Sequence, residues 1–285
     1  MASIAQKKPV NTHRIQKGLV KTGLYVFIAA TLIWTLFPVF WIILTSFKTQ
    51  QQMNTMPPLF IFKPTIATYL KLLSGDTLAS FKNSLLISVS SVFVGLLIGF
   101  PAAYVLARVK FRAKNQINFF ILSMRMAPAF AFLIPYYLIF RTLGLVDTYP
   151  ALIIINLTLT IPFSMWMLQG MIQDLTPEIE EAAMVDGCTP IGVIWRILLP
   201  ILAPSISATA ILSFVFCWNE FFFALILTGS DTRTVPVMLT SLIGLMGVDW
   251  VKMSAAGTLA IIPTILLALL AQKYLVKGLM MGAIK

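Results

Sequence analysis

The chain has 285 residues, of which 59% are hydrophobic and 11% charged, against roughly 25% charged in a soluble domain. That excludes a water-soluble enzyme and defines a polytopic membrane protein, helical because lipid offers no partner to an exposed backbone group and no alternating strands suggest a barrel. The net charge of +11 finds no polar segment large enough to fold into a basic face, which excludes a nucleic-acid-binding domain.

Residues 1–23 form a basic tail with Lys7, Lys8, Arg14, Lys17 and Lys21. The apolar run behind it is longer than the core of a cleaved signal, so it is expected to stay as the first helix of one membrane domain, 24–285. Six spans are expected, at 24–47, 84–107, 117–140, 150–171, 204–227 and 254–274, each near the ~20 residues that cross a ~30 Å hydrocarbon layer. Pro38, Pro128, Pro162 and Pro263 lie inside them and predict kinks. With alternating sides, thirteen lysines and arginines fall with the two termini and the segments after the second and fourth spans, and seven fall opposite. Positive charge stays inside, which puts both termini and the 172–200 loop in the cytoplasm.

That loop reads as two short helices. Thr176-Pro177 is a helix-start pair, with Thr as cap and Pro in the first turn, and Glu178, Glu180 and Glu181 follow where the helix dipole favours acid. The first helix is expected to reach Asp186 and end at Gly187. Thr189-Pro190 repeats the start signal and opens a second helix through Ile191, Val193, Ile194 and Ile197 toward Pro200. On the first helix Ile179, Ala182 and Ala183 share a face at i, i+3 and i+4, where small residues admit a close backbone. The polar face is acidic, with Asp174, Glu178, Glu180, Glu181 and Asp186 against Arg196 alone. Surface helices that lie on anionic lipid are basic, so a protein partner is favoured.

The same loop carries Glu181-Ala182-Ala183, three residues, Gly187, nine residues, Ile197, one residue, then Leu199-Pro200. This is the spacing EAA-x3-G-x9-I-x-LP, and the chain resembles the membrane subunits of ATP-binding-cassette importers. Further stretches resemble the maltose-type carbohydrate permeases, specifically the shorter, six-helix partner of the pair: Phe47-Lys48, Phe62-Lys63-Pro64-Thr65, Asn83-Ser84-Leu85, Arg125-Met126-Ala127-Pro128, Leu143-Gly144-Leu145, Asp147-Thr148-Tyr149, Trp218-Asn219-Glu220-Phe221 and Lys277-Gly278. The resemblance implies an all-α, six-helix type I importer domain in the bacterial inner membrane, with cytoplasmic coupling helices that dock on an ATPase. Glu180, Glu181, Ala182, Ala183, Asp186, Gly187, Ile197, Leu199 and Pro200 would carry that coupling. It also implies a second homologous permease, a pair of ATPase subunits, an external solute-binding protein, and a carbohydrate or polyol cargo, with glycerol phosphate as an alternative. The 228–253 segment resembles a loop that reaches toward the binding protein; its other reading is a re-entrant connector.

No G-x-x-x-x-G-K-[ST] phosphate loop occurs in the chain, so ATP and Mg²⁺ are expected on the partner ATPases and no cofactor on this chain. One histidine, His13, and two cysteines, Cys188 and Cys217, offer no metal or catalytic constellation. Two charges lie within spans, Arg125 and Glu220, where a charge costs ~2.5–3.5 kcal/mol on insertion scales. Their expected depths differ by about 12 Å, against a direct ion pair. Glu220 with Trp218 and Asn219, and Arg125, read either as lining of a translocation path or as interhelical polar contacts. The competing class, an ion-gradient-driven secondary transporter, would show inverted repeats and midplane titratable groups; no repeat is evident.

Overall fold

The computed structural model describes residues 12–126, 128–244 and 247–281. The first helix, α1 (Thr12–Ser46), contains Pro38 and runs on through it. Most of its large apolar side chains from Val20 to Phe40 are exposed, as suits a surface that faces lipid. Beyond its end Thr49 and Gln52 close a capping box that starts α2 (Gln50–Met53), two orphan ends satisfied by one another. Lys48 is 1% exposed and its ammonium lies 4.6 Å from the Trp41 ring centre and 5.3 Å from that of Phe62, within reach of a cation–π attraction.

After α3 (Ala67–Leu73) comes α4 (Asp76–Arg108), which starts before the expected 84 because Asp76 and the polar turn after it are already helical. Its inner face is small: Ser80, Ser84, Ser88, Ser91, Gly95, Gly99 and Ala103 are buried or nearly so. It packs along α7 (Tyr149–Gln173). A Cβ on Gly95 would lie 2.5 Å from Thr160 Oγ1, and one on Gly99 2.7 Å from Ser164 Cβ, so only glycine permits this approach. Close packing of this kind drives helix association in lipid, where water expulsion contributes nothing.

The third expected span is not one helix. α5 (Lys114–Met126) is followed by a 3-10 turn at Ala129–Phe132 and by α6 (Leu133–Thr142), and the two arms meet at 95°. Pro128 is extended, φ −69° and ψ 124°; it has no N–H to give, and its ring disfavours helix in the residue before it. What the sequence reads as a kink is a break. The fifth expected span is also interrupted. After the loop helices α8 (Glu178–Val185), α9 (Pro190–Gly192), a π-helix at Val193–Leu198 and α10 (Leu199–Ile201), the chain bends by 78° into α11 (Ala203–Trp218). α11 stops at Trp218, and α12 (Phe222–Leu227) resumes after a turn.

α13 (Val235–Thr240) and a two-residue hairpin, β1 (Ile243–Gly244) with β2 (Gly247–Val248), lead to α14 (Trp250–Met281), which runs through Pro263 and packs against α1 and α11. The hairpin is too short to alter the all-helical class; Gly247, which opens its second strand, is at φ +107°. Among the described residues four helices are long and apolar enough to cross a membrane, at Val20–Ser46, Asp76–Arg108, Tyr149–Gln173 and Trp250–Leu270, and six if each bent pair counts as one. Three buried clusters hold the helices together: one around Trp218 and Ala255, between α4, α11, α13 and α14, and two between α4 and α7, around Ile87 and Leu152 and around Leu168 and Ala183. The last ties the 175–202 loop to the membrane helices.

Candidate functional site

Each end of the loop is set by local chemistry. α8 begins without a side-chain cap. Thr176, expected to cap through its hydroxyl, instead offers its carbonyl to the Ile179 N–H at 3.4 Å, while Pro177 takes those of Glu180 and Glu181. The far end is a glycine stop: Gly187 at φ +90° donates to Met184, and the Cys188 N–H reaches Ala183 O at 2.9 Å, the paired bonds of a Schellman end. The second helix starts as expected, Thr189 Oγ1 accepting from the Gly192 N–H at 3.1 Å. It widens to a π-helix at Val193–Leu198, a geometry frequent at functional sites.

The loop is fastened from beneath. Glu180 is buried; Arg108 Nε donates to its Oε1 at 2.7 Å and the Tyr104 hydroxyl to its Oε2 at 3.0 Å, while Arg108 Nη2 donates to Leu175 O at 2.9 Å. Both pair members come close to full burial, with side chains 16% and 7% exposed. Ala183, beside it at i+3, is also buried and packs in the cluster of Leu168, Leu175, Val193 and Leu198. This corrects the expected outward face: Ala183 turns into the chain, because i and i+3 from Glu180 lie on one side, and Glu180 is held by α4. Glu178, Ile179, Glu181, Ala182, Val185 and Asp186 remain exposed, Val185 at 87%. Ile191 extends the apolar part across the elbow at 69%. Ile197 and Leu199 are half-buried against the loop cluster, and Pro200 is exposed in the first turn of α10.

Trp218 closes α11, and Asn219 and Glu220 lie in the turn before α12. Trp218 is buried, stacks on Phe214 at 5.6 Å and donates its indole N–H to Ala260 O of α14 at 3.1 Å. The Glu220 carboxylate turns onto the start of α12, Oε1 accepting from Phe223 N–H and Oε2 from Ala224 N–H, both at 2.9 Å. Two orphan donors that the break creates are thereby met. Of the four residues expected to line a path, Trp218, Asn219, Glu220 and Arg125, the first three are described with their side chains, and of these only Asn219 is exposed, its amide bound to Val215 O. For Trp218 and Glu220 the polar-contact reading is the one the geometry supports. Arg125 sits in the last turn of α5, and its side chain lies outside the described residues. Among the described residues the ion pairs are Arg108–Glu180 and Lys252–Asp249, and no group of metal-binding side chains occurs.

A third feature escapes a reading of the sequence by types. Asp147, at φ +60°, accepts from the N–H groups of Gly229, Asp231 and Thr232 and from the Thr232 hydroxyl at 2.7–3.3 Å. Burial pushes its carboxyl up, but the Thr232 hydroxyl and these three backbone donors outweigh it and hold it below the usual carboxylate range. Nearby, Asn83 donates to Asp231 O and Arg233 O, and accepts from the Tyr149 hydroxyl, while Ser84 accepts from Val235 N–H. The start of the 228–253 segment is thus pinned to the top of α4 and α7. Asn83-Ser84 and Asp147-Thr148-Tyr149 stand out in the sequence as motifs, but nothing in their spacing shows that they meet.

Residues 91–280 match the family described as "Binding-protein-dependent transport system inner membrane component". The chain is 37% identical over 276 residues to a probable ABC transporter permease of Sinorhizobium fredii, 96% of this chain and 98% of that one. It is 36% identical to the trehalose/maltose transport system permease of Thermococcus litoralis, over 88% and 91% of the two chains. It is 34% identical to the sulfoquinovosyl glycerol transport system permease of Agrobacterium fabrum, over 91% and 93%. A crystal structure of a bacterial ABC transporter that imports alginate superposes with a TM-score of 0.77 at 21% identity, over 94% and 99%. The alginate transporter in complex with alginate pentasaccharide-bound periplasmic protein gives 0.68 at 19%, over 91% and 96%.

Proposed function

The chain belongs to the family of binding-protein-dependent transport system inner membrane components, a permease subunit of an ATP-binding-cassette importer, and on that premise we propose its cargo, its partners and its working parts. The cargo is a carbohydrate or polyol-type solute, as the names of the maltose- and sulfoquinovosyl glycerol-transporting relatives suggest. A second permease completes the pathway, a pair of ATPases that bind ATP and Mg²⁺ drives it, and an external binding protein delivers the solute, a partner also present in one alginate complex.

The observation that carries the reading is the loop's division into two faces. Glu180 and Ala183 fasten α8 to α4 and to the loop cluster. The opposite side offers Val185, Ile179 and Ile191 among Glu178, Glu181 and Asp186. An apolar patch rimmed by acid suits a protein cleft with basic edges better than a lipid surface. Because α8 is tied to the long helix α4, movement of the docked helix is transmitted to the membrane segments as a rigid displacement. In this assignment both termini and the loop face the cytoplasm, and the segment clamped by Asp147 faces the binding protein. Purification of the tagged chain in mild detergent tests the assembly: a phosphate-loop ATPase and a second permease are expected with it. Uptake into vesicles that persists without ATP and collapses with the proton gradient would overturn the reading.

A further inference from the structure

The break after α11 opens onto a small polar chamber. Between α4, α7, the turn at Glu220 and the residue before α13 lies a cavity of about 10 Å³, the room one water needs. Ser88, Asn156, Thr234 and Glu220 line it, and the first three are 1%, 3% and 6% exposed. The Ser88 and Thr234 hydroxyls and Asn156 Oδ1 make no hydrogen bond to another protein group. Asn156 gives one amide N–H to Leu152 O at 2.9 Å, which fixes Nδ2 as the donor end and Oδ1 as the acceptor end of the amide. Each Glu220 oxygen takes one backbone N–H and keeps a further lone pair.

From this count we propose that the chamber is a binding site for a single ordered water that joins α4, α7, the 228–235 segment and the Glu220 turn. Two hydroxyl protons need an acceptor, and an amide carbonyl needs a donor. A water supplies both, accepting from Ser88 and Thr234 and donating to Asn156 Oδ1 and Glu220. A bare cation would satisfy oxygen lone pairs but leave the hydroxyl protons unmet, so the donor count selects water. The site carries no catalytic step. It adds a polar tie between the start of α12 and the α4–α7 pair, beside the apolar contacts of Phe223 and Ala224 with Ile87 and Leu152.

A structure of the protein in lipid nanodiscs, at a resolution that shows ordered solvent, tests this whether or not partner subunits are bound. A single peak is expected within about 2.6–3.2 Å of Asn156 Oδ1, a Glu220 oxygen and at least one hydroxyl. A chamber without density, or a peak at the shorter distances of a coordinated cation, would overturn the proposal. Asn156→Leu removes the acceptor at similar volume. Amide exchange at Phe223 and Ala224 is expected to rise about tenfold in it, and Ser88→Ala serves as the milder variant if Asn156→Leu does not fold. Exchange unchanged in the folded variant would refute the water's role in holding α12.

Discussion

Glu180→Gln isolates the fastening of the 175–202 loop, because it keeps the shape and removes the charge. In the parent, Arg108 gives one bond to the carboxylate and one to Leu175 O, and Tyr104 gives a third to Glu180. Removing one member of a buried pair costs about 3–5 kcal/mol, chiefly because the other charge is stranded. Arg108 retains 16% exposure and its Leu175 bond, so the low end, about 3 kcal/mol, is the working value. At 1.4 kcal/mol per decade this shifts the docked-to-undocked ratio of α8 by about two orders of magnitude. Hydrogen exchange of residues 178–188 reads it directly: the Asp186 and Cys188 amides, bonded to Ala182 O and Ala183 O, are expected to exchange about a hundredfold faster, while the α7 amides stay protected. In the assembled importer, ATP hydrolysis is expected to persist with uptake largely lost. Unchanged protection of 178–188 would refute the argument that this pair holds the loop.

Three further outcomes follow from other contacts. Gly99→Ala drives a methyl to 2.7 Å from Ser164 Cβ and is expected to destabilise by about 1–3 kcal/mol; Ser164→Gly in the same chain should restore thermal stability, and a single variant as stable as the parent would contradict the packing account. Gly187 sits at φ +90°, so Gly187→Val is expected to cost about 1–2 kcal/mol locally and to uncouple uptake from hydrolysis, whereas Gly187→Asn, which tolerates that region, should retain transport. Asp147 has a folded pKa held below its unfolded value. Its contribution is therefore complete above about pH 4 and lost as pH falls through the lower folded value, so thermal stability should stay flat from this group between about pH 5 and 8. Asp147→Asn should lower it throughout by about 2 kcal/mol.

The elements that the sequence discloses are those written in local code. The elbow at Gly187 and the Thr189-Pro190 start are legible because caps and stops act over a few residues. The long spans are legible from length and apolarity. The breaks are less so: Pro128 signals a disturbance but not a 95° turn, and nothing near Glu220 marks it as the cap of a new helix rather than a charge on a continuing one. Arg108–Glu180 and Asp147–Thr232 join residues far apart in the chain, and pair identity cannot be read from either end alone. The Gly95-x-x-x-Gly99 spacing was available as a packing signal; the structure shows that it is the seat of the α4–α7 approach. Which way Ala183 faces depended on Glu180 being bound inward, a fact of tertiary packing that helical spacing leaves open.

The central claim is that the outward side of α8 receives the ATPase and the inward side does not. Single photo-crosslinking residues placed at Val185, 87% exposed, and at Ala183, 7% exposed, test it in membranes that contain the whole importer. A cross-link from position 185 to a phosphate-loop ATPase, and none to it from 183, is the predicted pattern. Cross-linking absent at 185, or equal at both positions, would contradict the account.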